Sequence, residues 1–313
     1  MSKQSLWKFI LSWGNFVRWA GEHGLRRQPF ISINRVFFKV VRSFTKKYKT
    51  ESVQVGKHIM FLDVNDSLSL TMDTNFEPLE TEIIAVNIKP GDVVLDIGAN
   101  IGYHTLKMAD IVGPTGLVFA FEPDPNNFIT LTKNIEVNGY KNIVAVNKAV
   151  SNKVGKLKLY IDKFNKGGHR IYSSFEKRES VEIEATSLDD YFKGSTFIES
   201  DDRKISFIKM DVEGAEPLVI EGAKRLIENS PNIKMITEYY PLLIDECCGK
   251  GAYSIFLSDL MNIFPYTIFE IDEYKNKKEY INFDELISRK NPKVGNGTNL
   301  LCIKNGDANA TKS

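Results

Sequence analysis

The chain is poor in cysteine. It has three, Cys247, Cys248 and Cys302, with no Cys-x-x-Cys pair. An odd count without metal spacing excludes a disulfide framework and points to a reducing, cytoplasmic setting. No apolar run approaches the roughly 18 residues that a membrane span needs. Ser12, Gly14 and Asn15 interrupt the start of the chain where the core of a signal peptide would lie. Net charge is also small, +1, which excludes a uniformly basic or acidic surface.

What is there is enough for one large α/β domain with additions: 313 residues, 42% of them apolar. The charge is unevenly spread. Residues 1–50 hold eleven basic side chains against Glu22, a net +10, which leaves −9 for residues 51–313. Leu6, Phe9, Ile10, Trp13, Phe16, Val17 and Ala20 share one helical face. Val36, Phe37, Val40, Val41 and Phe44 share another, interleaved with Arg35, Lys39, Arg42 and Lys46. All three tryptophans, Trp7, Trp13 and Trp19, lie here. A basic amphipathic helical extension is expected. It either packs on the acidic body or lies peripherally on an anionic membrane, with nucleic acid a lesser alternative.

From residue 51 the pattern is that of a single domain. Short alternating segments at 52–72 read as a β lead-in, and 79–88 as a helix. Then follow strand 93–97, helix 102–112, strand 117–122, helix 125–138 and strand 143–150. Residues 153–185 read as antiparallel strands around the loop "NKGGHRIY". Strand 205–210, helix 215–229, strand 233–238 and helix 253–262 resume the alternation, and strands 266–271 and 298–304 close it. This βαβαβ order predicts a Rossmann-like, doubly wound, mostly parallel sheet with a β insertion.

The chemistry concentrates at "DVVLDIGANIGYHTL", residues 92–106. In such sheets ligands bind beyond the carboxyl ends of the strands, at the first strand's turn. Gly98 permits a sharp reversal, and Gly102 permits close approach of backbone to a ligand. Asn100 stands where a dinucleotide fingerprint wants its second glycine, so a pyrophosphate is disfavoured. Asp96 would repel phosphate but attract an ammonium or sulfonium. Glu122, in "FAFEPDP", lies where an acid accepts hydrogen bonds from ribose hydroxyls. A ligand with a ribose, no phosphate and a positive charge is S-adenosylmethionine.

These residues, with "VFAFEPDPNNF", "NKAVSNKVGKLKLY", "ATSLDDYF", "ISFIKMDVEGAEPLVIEGA" and the closing "TNLLCIK", resemble the FkbM family of class I S-adenosylmethionine-dependent methyltransferases. The resemblance covers about 55–305. It implies a seven-stranded sheet whose last strand is antiparallel. It also implies O-methylation of a hydroxyl on a small molecule, sugar or lipid-linked glycan. Proton removal from such a hydroxyl calls for a positioned base. Asp211 is expected there, with Glu213, Glu238 and His104 as further candidates. Converging carboxylates raise one another's pKa, and Glu216 favours its helix N-terminus. Oxygen ligands leave open a divalent cation on Asp211, Glu213 and Glu238, although no metal is expected. The stretch "MFLDVNDSLSLTMDTNFEPLETEII" (60–84) also resembles the family's lead-in, and with the glycine motif this resemblance suggests Glu77 for the donor's ammonium and Thr105 for its carboxylate. Asn147 is suggested for the adenine, and His169 and Arg170 for the acceptor.

Two enzyme alternatives differ at particular residues. A nicotinamide oxidoreductase wants the missing middle glycine and a Tyr-x-x-x-Lys or histidine motif. A nucleic acid methyltransferase wants a "DPPY"-like tetrapeptide where "DVEG" (211–214) stands, and its substrate would meet an acidic body. A non-catalytic binding module would have no use for Asp211.

Overall fold

Val93, Leu95 and Ile97 alternate with Val94 along one strand, and the two sets bury into two different cores. A strand apolar on both faces needs helices on both sides, and that requirement organises the chain. The computed structural model describes residues 50–163, 165–173, 177–195, 204–265, 267–273, 276–281, 283–290, 292 and 297–304. The basic amphipathic segment 1–49 lies outside the described residues, and with it the expected membrane or body contact.

The lead-in forms a two-stranded antiparallel hairpin, β1 (Ser52–Val55) and β2 (His58–Phe61). After helix α1 (Pro78–Asn87) come β3 (Val93–Ile97), α2 (Tyr103–Val112), β4 (Leu117–Phe121), α3 (Pro125–Val137) and β5 (Ile143–Val146). A separate three-stranded sheet holds β6 (Ala149–Val150), β7 (Gly155–Tyr160) and β8 (Ser180–Thr186). The main sheet then continues. Helix α4 (Leu188–Tyr191) precedes β9 (Ile205–Met210), α5 (Glu216–Glu221), α6 (Lys224–Glu228) and β10 (Lys234–Tyr239). The chain closes with α7 (Pro241–Cys248), α8 (Ala252–Ile263), β11 (Ile268–Asp272), β12 (Lys277–Tyr280), α9 (Phe283–Arg289) and β13 (Thr298–Ile303).

The main sheet runs β12-β11-β13-β10-β9-β3-β4-β5. β10, β9, β3, β4 and β5 are mutually parallel, and β13 lies antiparallel between β10 and β11. The chain winds outward from β3 to β5 and then crosses to β9 on the other side of β3. The switch point therefore falls between β3 and β9. The antiparallel closing strand agrees with the sequence reading. The strand count does not, since among the described residues the sheet has eight strands rather than seven. The extra strand, β12, is an edge hairpin of four exposed residues, "KKEY", with no apolar alternation to betray it.

Three further expectations are corrected. The helix expected over 215–229 is broken at Gly222, where a Cβ would stand 2.2 Å from the Ser151 carbonyl oxygen. The Asp189 carboxylate restarts it by accepting from the amides of Arg225 and Leu226. The strand expected over 143–150 divides, and its last two residues pair with β8. "SLSLTM" (67–72) is a chain of turns, because the Asp66 carboxylate takes the amides of Leu70 and Thr71.

The hairpin is held by side chains rather than by strand pairing. Asn138 accepts from the Ile59 amide at 2.9 Å and donates to the Ile59 carbonyl at 2.7 Å. One helical turn earlier, Asn134 does the same for Phe61 and also donates to the Ile101 carbonyl. Among the described residues no helix is long and apolar enough to cross a membrane.

Candidate active site

A cavity of about 280 Å³ opens beyond the carboxyl ends of β3, β4, β9 and β10. Its position follows from the switch point, where the loops after β3 and β9 part. The turn after β3 supplies Asp96, Gly98 and Asn100, and the end of β4 supplies Glu122. The loop after β9 supplies Asp211 and Glu213, and β10 supplies Glu238. Glu77 and His104 close the side toward α1 and α2, and His169 closes the side toward the β insertion.

The turn is built around a backbone contact. Gly98 has φ +85, and a Cβ there would meet the Asp211 carbonyl oxygen at 1.9 Å. Asn100, also left-handed at φ +50, gives its amide to Glu122 Oε2 at 2.8 Å. The Asp124 amide donates to Glu122 Oε1 at 2.8 Å. Burial pushes Glu122 up to about 8, against the pull of these two amides. Asp124 then caps α3 by accepting from the amides of Asn126 and Asn127, with Pro125 in the first helical position.

Residues 165–169 roof this end. The Lys166 amide donates to Ser67 Oγ, Asn127 Nδ2 to the Lys166 carbonyl, and Asn65 Nδ2 to the Lys163 carbonyl. His169 Nδ1 accepts from the Asp162 amide, so the neutral ring carries its proton on Nε2, 3.6 Å from Asp124 Oδ2. Burial lowers its pKa.

The opposite end is carboxylate-rich. Burial, and after it the charge of Asp211, lifts Glu213 to about 8 and Glu216 to about 7. Glu238 is raised well above the usual carboxylate range by burial, and then by Asp211, Glu213, Glu216 and Glu77. Its Oε2 is buried with no hydrogen-bond partner among the described residues. The Asp211 side chain is more open, 44% exposed, with its Oδ2 3.8 Å from Lys209 Nζ.

Beside α1 and α2, Glu77, Glu80 and His104 bring three possible ligand atoms within 4.8 Å of one another. His104 Nε2 is 3.1 Å from Glu77 Oε2. Burial carries both glutamates up to about 7 and His104 down to about 4. Lys209 Nζ, 3.6 Å from Glu80 Oε1, already supplies a positive charge here. Asp211, Glu213 and Glu238 do not form a comparably tight ligand group among the described residues.

The structure thus brings Glu77, Asp96, Gly98, Asn100, His104, Glu122, His169, Asp211, Glu213 and Glu238 to the lining of one cavity. Four expected residues stand behind it. Thr105 is fully buried and donates to Asp96 Oδ2 at 2.5 Å. Gly102 faces Leu131 of α3, whose Cδ1 would be 2.7 Å from an added Cβ. Asn147 donates to the carbonyls of Glu122 and Pro123. Arg170 turns to Glu246 at 3.3 Å and Glu213 at 3.9 Å. Sequence reasoning missed Glu80 and Lys209. A lysine inside the apolar strand "ISFIKM" was the available signal, since a buried cation requires carboxylate company.

The family model described as the methyltransferase FkbM domain matches residues 96–286. The chain is similar to a protein-L-isoaspartate O-methyltransferase of Aeropyrum pernix, 40% identical over 58 residues, 18% of this chain and 22% of that protein. It spans between 22% and 29% of the length of the first three such isoaspartate relatives. It is also similar to the hexuronic acid methyltransferase AglP of Haloferax volcanii, 29% identical over 140 residues, 44% of this chain and 52% of that one. Among solved structures, a SAM dependent methyltransferase from Aquifex aeolicus aligns at 13% identity and TM-score 0.40, covering 78% of this chain and 99% of the other.

Proposed function

Because the chain belongs to the FkbM methyltransferase family, we propose that it moves a methyl group from S-adenosylmethionine to a hydroxyl of a sugar, glycan or other small molecule. The observation that carries this reading is the division of one cavity into two ends. Asp96, Gly98 and Glu122 line the first, and Asp211, Glu213 and Glu238 line the second. The residues present suit the donor. Asp96 and Glu122 at this end favour a cationic nucleoside with ribose hydroxyls, and Asn100 Oδ1 is buried at the turn with no hydrogen-bond partner among the described residues.

When bound, the donor supplies a methyl already activated on a sulfonium. The chain has to align the acceptor oxygen, exclude water and take the hydroxyl proton as the new C–O bond forms. Glu238 suits the last task better than Asp211. Its Oε2 is uncommitted and buried in the cavity wall, whereas Asp211 is open and faces an ammonium. Glu213, beside it, is the second candidate. The similarity to a hexuronic acid methyltransferase supports a sugar acceptor. The net +10 segment 1–50 is proposed to dock the enzyme near its acceptor at a membrane surface.

Calorimetry with S-adenosylmethionine and NAD, followed by transfer of labelled methyl to a panel of glycans, tests the reading. Donor binding and label on a hydroxyl are expected. Binding of NAD in place of S-adenosylmethionine would overturn it.

A further inference from the structure

Lys209 sits on β9 directly opposite Asp96 in the β3 register. Its side chain is 5% exposed and lines the cavity. An ammonium carries three N–H donors, yet here it makes no hydrogen bond among the described residues. The oxygens of its ion-pair partners, Glu80 Oε1 and Asp211 Oδ2, stand 3.6 and 3.8 Å away, beyond hydrogen-bonding reach. Glu80 Oε1 is itself buried with no hydrogen-bond partner among the described residues. A buried charge with unspent donors facing a cavity is incomplete until a ligand atom accepts from it.

The donor's α-carboxylate also lacks the receptor expected for it. Thr105, expected to meet its carboxylate, is turned away to Asp96. We propose that Lys209 receives the α-carboxylate of S-adenosylmethionine while Glu77 faces the ammonium of the same tail. This inference rests on the methyltransferase reading above. The electrostatics select a zwitterion rather than a plain anion. Glu77, Glu80, Asp96 and Asp211 surround Lys209 and would repel a free anion. A tail that carries its own ammonium and sulfonium offsets them.

The test compares three probes on the full chain by calorimetry: S-adenosylmethionine, its decarboxylated form and 5′-methylthioadenosine, which lacks the whole tail. A charge-assisted hydrogen bond predicts that wild-type protein prefers the intact donor to the decarboxylated one by about 10- to 100-fold. Lys209→Met should weaken the intact donor by a similar factor, leave 5′-methylthioadenosine unchanged and not weaken the decarboxylated donor. Equal wild-type affinity for the intact and decarboxylated donors overturns the inference alone, and that comparison needs no variant to fold. A Lys209→Met protein that loses all three probes equally also overturns it. Wild-type protein that binds none of the three overturns the methyltransferase reading, and this inference with it.

Discussion

The Gly98 backbone rests on the Asp211 carbonyl, and the Asp211 amide donates to the Ile97 carbonyl at 3.0 Å. The turn that carries the donor-side acids and the loop that carries the transfer-side acids are therefore in direct main-chain contact. Gly98→Ala should destabilise the protein by at least about 2 kcal/mol, through the positive φ and the displaced loop together. Urea unfolding would measure it, and an unchanged midpoint would deny the contact its structural role.

Glu238→Gln should lower turnover by roughly 10²- to 10⁴-fold, the usual worth of a positioned base, while donor affinity holds. Asp211→Asn should cost less. Single-turnover kinetics with calorimetry beside it separates the two, and the reverse ranking would return the proton to Asp211.

Turnover should rise with pH from about 6 through 8. A base is useful only when deprotonated, and burial and like charge raise Glu238, with Glu213 near 8 beside it. A profile flat from pH 6 to 9 would exclude Glu213 as the base.

Stability should move the opposite way. Glu77, Glu80, Glu122, Glu213 and Glu216 have folded pKa values of about 7 to 8, above their unfolded value of 4.5. Their contribution is full below 4.5 and is lost as pH rises through 7 to 8. His104, lowered to about 4, acts oppositely, but only as pH falls below 6.5. Between pH 6.5 and 8.5 the ligand-free protein should thus melt at a lower temperature at the alkaline end. Differential scanning fluorimetry that finds a rise instead would contradict the buried, neutral state of these acids.

Asp96→Ala should weaken the donor by about 10-fold or more, through the lost countercharge and the freed Thr105 hydroxyl. Isothermal titration reads this directly, and unchanged affinity would remove Asp96 from the donor site.

The sheet was legible because its parallel strands are apolar on both faces and their helices end at Gly and Asn. Val93–Ile97 and Ile205–Met210 were read to the residue. β12 was not legible, because an exposed charged edge carries no hydrophobic period. The split at Gly222 depends on Ser151 and Asp189, tens of residues away, which no local pattern reports. In the site, the acids at strand ends could be placed from topology alone. What each polar atom bonds to could not. Thr105 and Asn147 have the right chemistry for a ligand, but they spend it on Asp96 and on the carbonyls after β4. Lys209 and Glu80 were overlooked because each looks anomalous alone and makes sense only beside the other.

Asn134 and Asn138 stand in for a missing strand along the outer rim of β2. With its main-chain groups at Ile59 and Phe61 already satisfied, that rim offers no template on which a second molecule could zip. The hairpin is moored to α3 without entering the eight-stranded ladder. A change in the length of the turn between β1 and β2 therefore leaves the strand order of the main sheet unchanged.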